Sequence, residues 1–169
     1  MSEISKTTEV TDLKNEDAVR LFDQYSDDLF RFAVSYVGSK HDAEDIVQEV
    51  FLKILGKHIP IIKSTEKTYL MTITANMCKD HLRSSVRKTN VDLESAEPEL
   101  QYFDGFTERN KAVFDELMRL EDRYRVPIYL HYYAGYSYKE IAKILQISES
   151  ATSMRISRGK EIIRFKLEE

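Results

Sequence analysis

Hydrophobic residues recur along this chain at helical spacing, in blocks separated by short polar breaks. From Ala18 they fall at Leu21, Phe22, Tyr25, Leu29, Phe32, Ala33, Tyr36 and Val37, one face of a helix that Gly38 closes. A second helix is expected to start near Ser39 or His41. It carries Asp42, Glu44 and Asp45 in its first turn, where carboxylates suit the helix dipole, and continues through IVQEVFLKIL to about Leu55. Pro60 forbids a helix running straight on, and Pro also disfavours helix at Ile59, so Gly56–Lys67 reads as a loop. A third helix runs from about Thr65 to Arg87. Its apolar face is Tyr69, Leu70, Ile73, Met77 and Leu82, and its other face carries Lys79, Arg83, Arg87 and Lys88.

The periodicity then lapses. Residues 88–107, KTNVDLESAEPELQYFDGFT, are acidic and hold a Pro and a Gly. They read as a linker between two domains, with a short surface helix around Glu97–Phe103 as the alternative. Helical spacing resumes with Val113, Phe114, Leu117 and Leu120. A break is expected at Glu121–Tyr124. The helix RVPIYLHYYA follows, with Pro127 in its first turn and Gly135 at its end.

The last block is SYKEIAKILQISESATSMRISRGKEIIR. In KEIAKIL, Ile141, Ala142, Ile144 and Leu145 make a buried face; QIS breaks it, and Ser148 is a good N-cap. In the next helix Thr152, Ile156, Gly159 and Ile163 form one inward stripe, where small Gly159 lets a neighbouring helix approach. The outward side is then Ser150, Ser153, Met154, Ser157 and Arg158, flanked by Arg155 and Lys160. No strand signal and no internal repeat is present. The expected fold is all-α: a disordered extension at 1–16, a helical domain at 17–87, a flexible acidic linker at 88–107, and a helix-turn-helix domain at 108–169.

Composition agrees with helix, since 169 residues contain only five Gly and three Pro. The apolar runs are far shorter than a membrane span, and the polar, acidic N-terminus is unlike a signal peptide. A single Cys78 forms no internal disulfide and points to a reduced, cytoplasmic compartment. Four scattered His lack metal-ligand spacing, so neither metal nor other cofactor is expected. Charge is uneven beneath a net of −4. Residues 1–50 carry 12 Asp/Glu against 5 Lys/Arg, residues 57–88 carry 7 basic against 2 acidic, and residues 89–108 carry 6 acidic and no basic. Alternation of this kind indicates surfaces with different partners.

Those partners follow from the residue types. A short turn between two helices, the second offering short polar side chains and arginines, is the helix-turn-helix pattern. Short side chains let such a helix sit deep in a major groove, Arg can bond guanine edges, and Met can touch a thymine methyl. The plain alternative is an amphipathic hairpin with a solvated basic face. In the first domain, Asp45, Gln48 and Glu49 beside Phe51 and Leu52 would repel DNA phosphate and suit a basic protein partner. Asn76, Lys79 and Arg83 lie on or near one basic side and suit nucleic acid. No nucleophile–base pair, phosphate loop or carboxylate dyad is found, and no small-molecule substrate or catalysis is expected.

The order DAEDIVQEVFLKI, YLMTITANMCKDHLR, YRVPIYLHYYAGYSYKEIAKILQIS resembles the extracytoplasmic-function (ECF) sigma factors of bacterial RNA polymerase, over about residues 17–87 and 108–166. The resemblance implies a factor that binds core polymerase through its clamp coiled coil and flap, recognises the −10 and −35 promoter elements, and helps melt the promoter. Asp45, Gln48, Glu49, Phe51 and Leu52 match the helix that grips the clamp. Gly56–Lys67 matches the loop that receives a flipped base, and Asn76 and Lys79 match positions lining the non-template strand. Ser153, Met154, Ser157 and Arg158 match the −35 reading positions, with Arg155 and Lys160 at phosphates. It also implies control by an anti-sigma factor, often membrane-bound. Tyr69 stands where the family commonly has Trp, and Thr72 and Ala75 where it is often basic. The recognition helix has Ala151, Thr152 and Ser153 in place of frequent Thr, Val and Lys, so the promoter sequence does not carry over. A stand-alone helix-turn-helix regulator that binds duplex DNA without polymerase is the alternative.

Overall fold

A computed structural model describes residues 10–12, 15–55, 60–88 and 108–169. Seven helices dominate them: α1 (Asn15–Val37), α2 (Lys40–Ile54), α3 (Glu66–Lys88), α4 (Glu108–Arg119), α5 (Asp122–Tyr132), α6 (Tyr138–Leu145) and α7 (Glu149–Glu168). The expected linker and Gly56–Ile59 lie outside the described residues, as do the side chains of Arg87 and Lys88.

Local chemistry explains most boundaries. Gly38 adopts φ +73°, and its N–H bonds the Val34 carbonyl at 2.9 Å, closing α1. The Ser39 hydroxyl caps α2 by accepting from the Asp42 N–H. At α6, Ser137 and Glu140 make a reciprocal capping box. Gln146, at φ 55°, turns the chain between α6 and α7. A non-glycine residue in this left-handed region is uncommon, and the bond from Ile147 N–H to Ala142 O supports it.

Three differences from the sequence expectation stand out. Val10–Asp12 (β1) pairs antiparallel with Pro60–Ile62 (β2), and Lys63–Thr65 forms a 3₁₀ turn into α3. The N-terminal extension and the loop therefore both hold short ordered pieces that no alternation announced, because a three-residue strand is too short to show a period. Second, α5 starts at Asp122, so Pro127 falls in its second turn and forfeits one intrahelical bond. Third, α3 buries Met71, Thr74, Ala75 and Cys78 besides Leu70 and Met77, while Tyr69, Ile73 and Leu82 stay half-buried. The extra burial arises because α3 packs on α1 and α2 and also on α6.

The two halves are not held apart. α1 packs on α5 as well as α3 on α6, and one continuous cluster of buried residues runs from Leu21 to Ile163. Phe32 of α1 stacks on Tyr129 of α5 with ring centroids 6.3 Å apart. Within the first half, the buried Glu66 carboxylate accepts from both Arg20 terminal nitrogens (3.1 and 2.9 Å) and from the Tyr25 hydroxyl (2.7 Å), fastening the start of α3 to α1.

The second half is organised around α7, whose buried residues are Thr152, Ile156, Gly159 and Ile163, the expected stripe. A Cβ at Gly159 would lie 2.5 Å from Ile128 Cδ1 and 3.2 Å from Tyr124 Cβ, so the backbone of α7 rides directly on α5. Gly159→Leu is therefore expected to lower the stability of the chain by about 2–3 kcal/mol through overpacking, read as a fall in the thermal unfolding midpoint. An unchanged midpoint would mean that α7 does not seat against α5 at this residue.

Candidate nucleic-acid and polymerase interfaces

Three helix faces carry the candidate residues, and in each the buried stripe decides what is left outside. In α2 the stripe is Ala43, Ile46, Val47, Val50, Phe51 and Ile54. Asp45, Gln48, Glu49 and Leu52, spaced i, i+3, i+4 and i+7, therefore share the outer face, and all four are exposed. Leu52 is 67% exposed, an apolar side chain set among acids and left uncovered by the described residues. His41 Nδ1 lies 3.4 Å from the Asp45 carboxylate. Phe51 does not belong to this face. It is 6% exposed and packs edge-on against Phe22 at 5.0 Å, because it follows Val47 by one turn and so points at α1. The half-exposed ring of Phe22 lies at the rim instead, beside a shallow groove between α1 and α2 that Phe30 and Gln48 also line.

In α3, Asn76, Lys79 and Arg83 form a second stripe, with Asn76 half-buried and both basic residues exposed. Thr72, on the same side one turn earlier, spends its hydroxyl on the Thr68 carbonyl at 2.8 Å. Ala75 is buried. The positive charge of this described face thus rests on Lys79 and Arg83. His81 Nε2 lies 3.1 Å from Asp42 Oδ2 and ties α3 to the first turn of α2.

In α7, Ser150, Ser153, Met154, Ser157 and Arg158 are all exposed, Met154 at 66%. Ser148 holds the helix start by accepting from Ala151 N–H at 3.0 Å, and Thr152 donates back to Ser148 O at 3.0 Å. Arg155 is half-buried. Lys160 is exposed but turned toward α5: its amine donates to the Tyr132 hydroxyl at 3.0 Å and sits 5.4 Å from that ring. The hydrogen bond favours the charged amine and raises its pKa. Lys160 thereby stands on the rim of a groove of about 410 Å³ between α4, α5 and α7, whose walls include Val113, Leu117, Tyr133 and Leu167. Sequence reading passed over this groove. In the sequence Tyr132 and Tyr133 read simply as helix, although two adjacent aromatics cannot both face one core.

Arg125 is a further residue with no role in the sequence reading, where it stands only as the first residue of the expected helix RVPIYLHYYA. Its guanidinium donates to four carbonyls: Ser35 (2.7 Å) and Tyr36 (2.9 Å) at the end of α1, Met118 (3.2 Å) in α4, and Leu120 (2.6 Å) just beyond α4.

An acidic face with an apolar centre, a helix with exposed Lys79 and Arg83 beside it, and a helix-turn-helix whose second helix exposes Ser, Met and Arg side chains thus lie on one chain. Comparison with known proteins gives the family. Residues 21–88 match the model of sigma-70 region 2, and residues 111–163 that of sigma-70 region 4. SigL of Mycobacterium tuberculosis, an ECF RNA polymerase sigma factor, is 31% identical over 159 residues, covering 88% of each chain. SigX of Bacillus subtilis is 28% identical over 88% of this chain and 82% of its own.

The chain belongs to the ECF sigma factors. It binds core RNA polymerase, recognises −10 and −35 promoter elements and promotes promoter melting and initiation; members of the family are initiation factors rather than catalysts. Among solved structures, the sigma factor RpoE of Bartonella quintana, in complex with the anti-sigma factor NepR, shares the fold at TM-score 0.73 and 22% identity, over 90% of this chain and 98% of that one. CnrH, in complex with the cytosolic domain of CnrY, does so at 0.61 and 19%, over 92% and 90%. No described helix is long and apolar enough to cross a membrane.

Reversing charge on the outer face of α2, as Asp45→Lys with Glu49→Lys, is expected to weaken core-polymerase binding by about tenfold at low salt and less at high salt. Both side chains are exposed, so the unfolding midpoint should stay where it is. Unchanged core affinity in a titration would remove this face from the polymerase interface.

Proposed function

We propose the following division of labour among the residues of this sigma factor. Asp45, Gln48, Glu49 and Leu52 dock on the clamp coiled coil of core polymerase, the acids steering the encounter and Leu52 supplying apolar burial. Phe51 supports that face from beneath. Asn76, Lys79 and Arg83 track the non-template strand at the −10 element, and the segment from Gly56 to Lys67 receives a base flipped from the stack. The groove between α4, α5 and α7, apolar within and rimmed by Lys160 and Arg164, takes an apolar helix of the polymerase flap. Arg155 contacts phosphate, as does Lys160 from the rim.

The −35 element is read by Ser150, Ser153, Met154, Ser157 and Arg158. The observation that carries the reading is the seating of α7: with Thr152, Ile156, Gly159 and Ile163 turned inward, these five side chains are the ones presented to a groove. Melting needs no covalent chemistry, since unstacking is offset by contacts to the extruded bases. The chain acts in the cytoplasm. RpoE with NepR and CnrH with CnrY support a proteinaceous inhibitor for this chain too, an anti-sigma factor covering the polymerase-docking faces.

Transcription with purified core enzyme from a randomised promoter library tests the assignments. Wild-type chain is expected to select one −35 and one −10 motif. Met154→Ala should relax preference at one −35 position by roughly 4- to 10-fold, the worth of an apolar contact with a thymine methyl, and leave the −10 motif alone. No initiation above core alone, or a −35 motif that Met154→Ala leaves intact, would contradict the reading.

A further inference from the structure

The segment assigned above to a flipped base is tied to the start of the chain at two places. Pro60–Ile62 (β2) pairs antiparallel with Val10–Asp12 (β1), in the register Val10↔Ile62, Thr11↔Ile61 and Asp12↔Pro60. A few residues on, Glu66 opens α3 with a buried carboxylate that accepts from both Arg20 terminal nitrogens and from the Tyr25 hydroxyl. Lys67 follows, its Nζ 3.2 Å from Asp28 Oδ2. Arg20, Tyr25 and Asp28 all belong to α1, which begins at Asn15, two residues after β1 ends. The stretch from Val10 to Asp28 thus grips Pro60–Lys67 at both ends.

The two attachments differ in strength. Val10, Thr11, Ile61 and Ile62 are β-branched and suit a strand. Yet the ladder is three residues long, and Pro60 has no N–H to give it. A two-stranded ladder of this size is marginal by itself. The cluster at Glu66 is the firm end, since hydrogen bonds to an ionised carboxylate are among the strong ones. Burial and the Glu66 carboxylate push the Tyr25 hydroxyl up to about 12, so it stays a donor at neutral pH. The 3₁₀ turn Lys63–Thr65 joins this fixed point directly to Ile62. The apolar core between α1, α2 and α3 uses other side chains, Leu21, Leu29, Phe32 and Leu70 among them. What Arg20, Tyr25 and Glu66 add is a fixed position for the first residue of α3.

We propose that β1 and the Arg20–Glu66–Tyr25 cluster form a brace that holds the base-receiving segment in its receptive shape before DNA arrives, so that −10 selection and melting depend on residues near the start of the chain that touch no base. The inference rests on the assignment of that segment to a flipped base. A loop ordered only on capture would lose backbone freedom at that moment, at the expense of capture; a braced one has lost it on folding. Arg20, Tyr25 and Glu66 are in this sense positioning residues.

The test uses the full chain and core enzyme. Val10→Pro with Thr11→Pro removes both N–H groups, whichever of them faces β2, and lies outside α1. Tyr25→Phe takes one bond from Glu66 and keeps the ring in the core. Hydrogen exchange over Ile61–Thr65 should be about tenfold faster in the proline variant than in wild type, and also faster in Tyr25→Phe. Promoter opening, followed by 2-aminopurine in the non-template −10 strand, should slow by about tenfold in the proline variant and by less in Tyr25→Phe, with −10 preference in a promoter library weakened in the same order. Core affinity and the −35 motif should not move. A promoter already unpaired across the −10 element should restore the wild-type rate of initiation, which a chain damaged in its fold would not achieve. A benzophenone side chain in place of Lys63 should crosslink to the non-template −10 strand in the open complex.

Unchanged exchange in both variants overturns the brace. Faster exchange with unchanged opening and −10 preference leaves the ladder in place and overturns its role in positioning. Faster opening in the proline variant also overturns it, since β1 would then be a cover over the segment. Loss of core affinity, or no rescue by the unpaired promoter, would make the effect one of general stability and contradict the proposal. If the benzophenone finds no DNA, the assignment of the segment to a flipped base falls and the positioning role with it, while the exchange result stands by itself.

Discussion

The close approach of α7 to α5 at Gly159 governs which face of α7 is left exposed. A helix presents outward only what its packing leaves free. With no Cβ at Gly159, α7 can lie against Tyr124 and Ile128 along its whole buried stripe. Any rotation of α7 about its axis would change which of Arg155, Lys160 and Met154 stand outward. The face proposed to read DNA is thus set by a contact on the far side of the helix. The caps at Ser137 and Ser148 fix where α6 and α7 begin, and Gln146 closes α6 between them.

The same logic distributes charge over the first half. α2 buries its aliphatic stripe and leaves acids around a bare Leu52, while α3 leaves Lys79 and Arg83. Phosphate neutralisation dominates most protein–DNA affinity, and a chain of net charge −4 with so short a basic stripe is poorly supplied for it. The acid that weakens DNA binding is the feature that suits a basic protein surface. A factor that depends on polymerase for grip and contributes selectivity itself is the arrangement these faces support.

Much of this was legible from residue spacing. The inward stripe of α7, the cap at Ser148, the end of α1 at Gly38 and the exposure of Asp45 and Glu49 follow from helical period and turn chemistry alone. What escaped needed partners distant in sequence. Phe51 reads as the neighbour of Leu52, although it stands one turn after Val47 in the buried stripe and packs against Phe22. Ala75 and Cys78 look like neutral positions on a polar helix until α1, α2 and α6 pack around α3. Arg125 reads as one more base in EDRYR, and its meaning depends on carbonyls 90 and 89 residues away. The capping box at Ser137 and Glu140 was there to be read in the S-x-x-E pattern. The β1–β2 pairing was not, since three residues cannot display a period.

Two weak heads on one chain make sense only if something larger supplies the remaining contacts and holds them at promoter spacing. The most direct measurement is fluorescence anisotropy of a labelled promoter duplex carrying both elements, titrated with the chain at physiological salt, with and without core RNA polymerase. The account predicts no sequence-specific complex for the chain by itself and a specific one once core enzyme is present. Tight, sequence-specific binding by the isolated chain, unchanged by core enzyme, would contradict it.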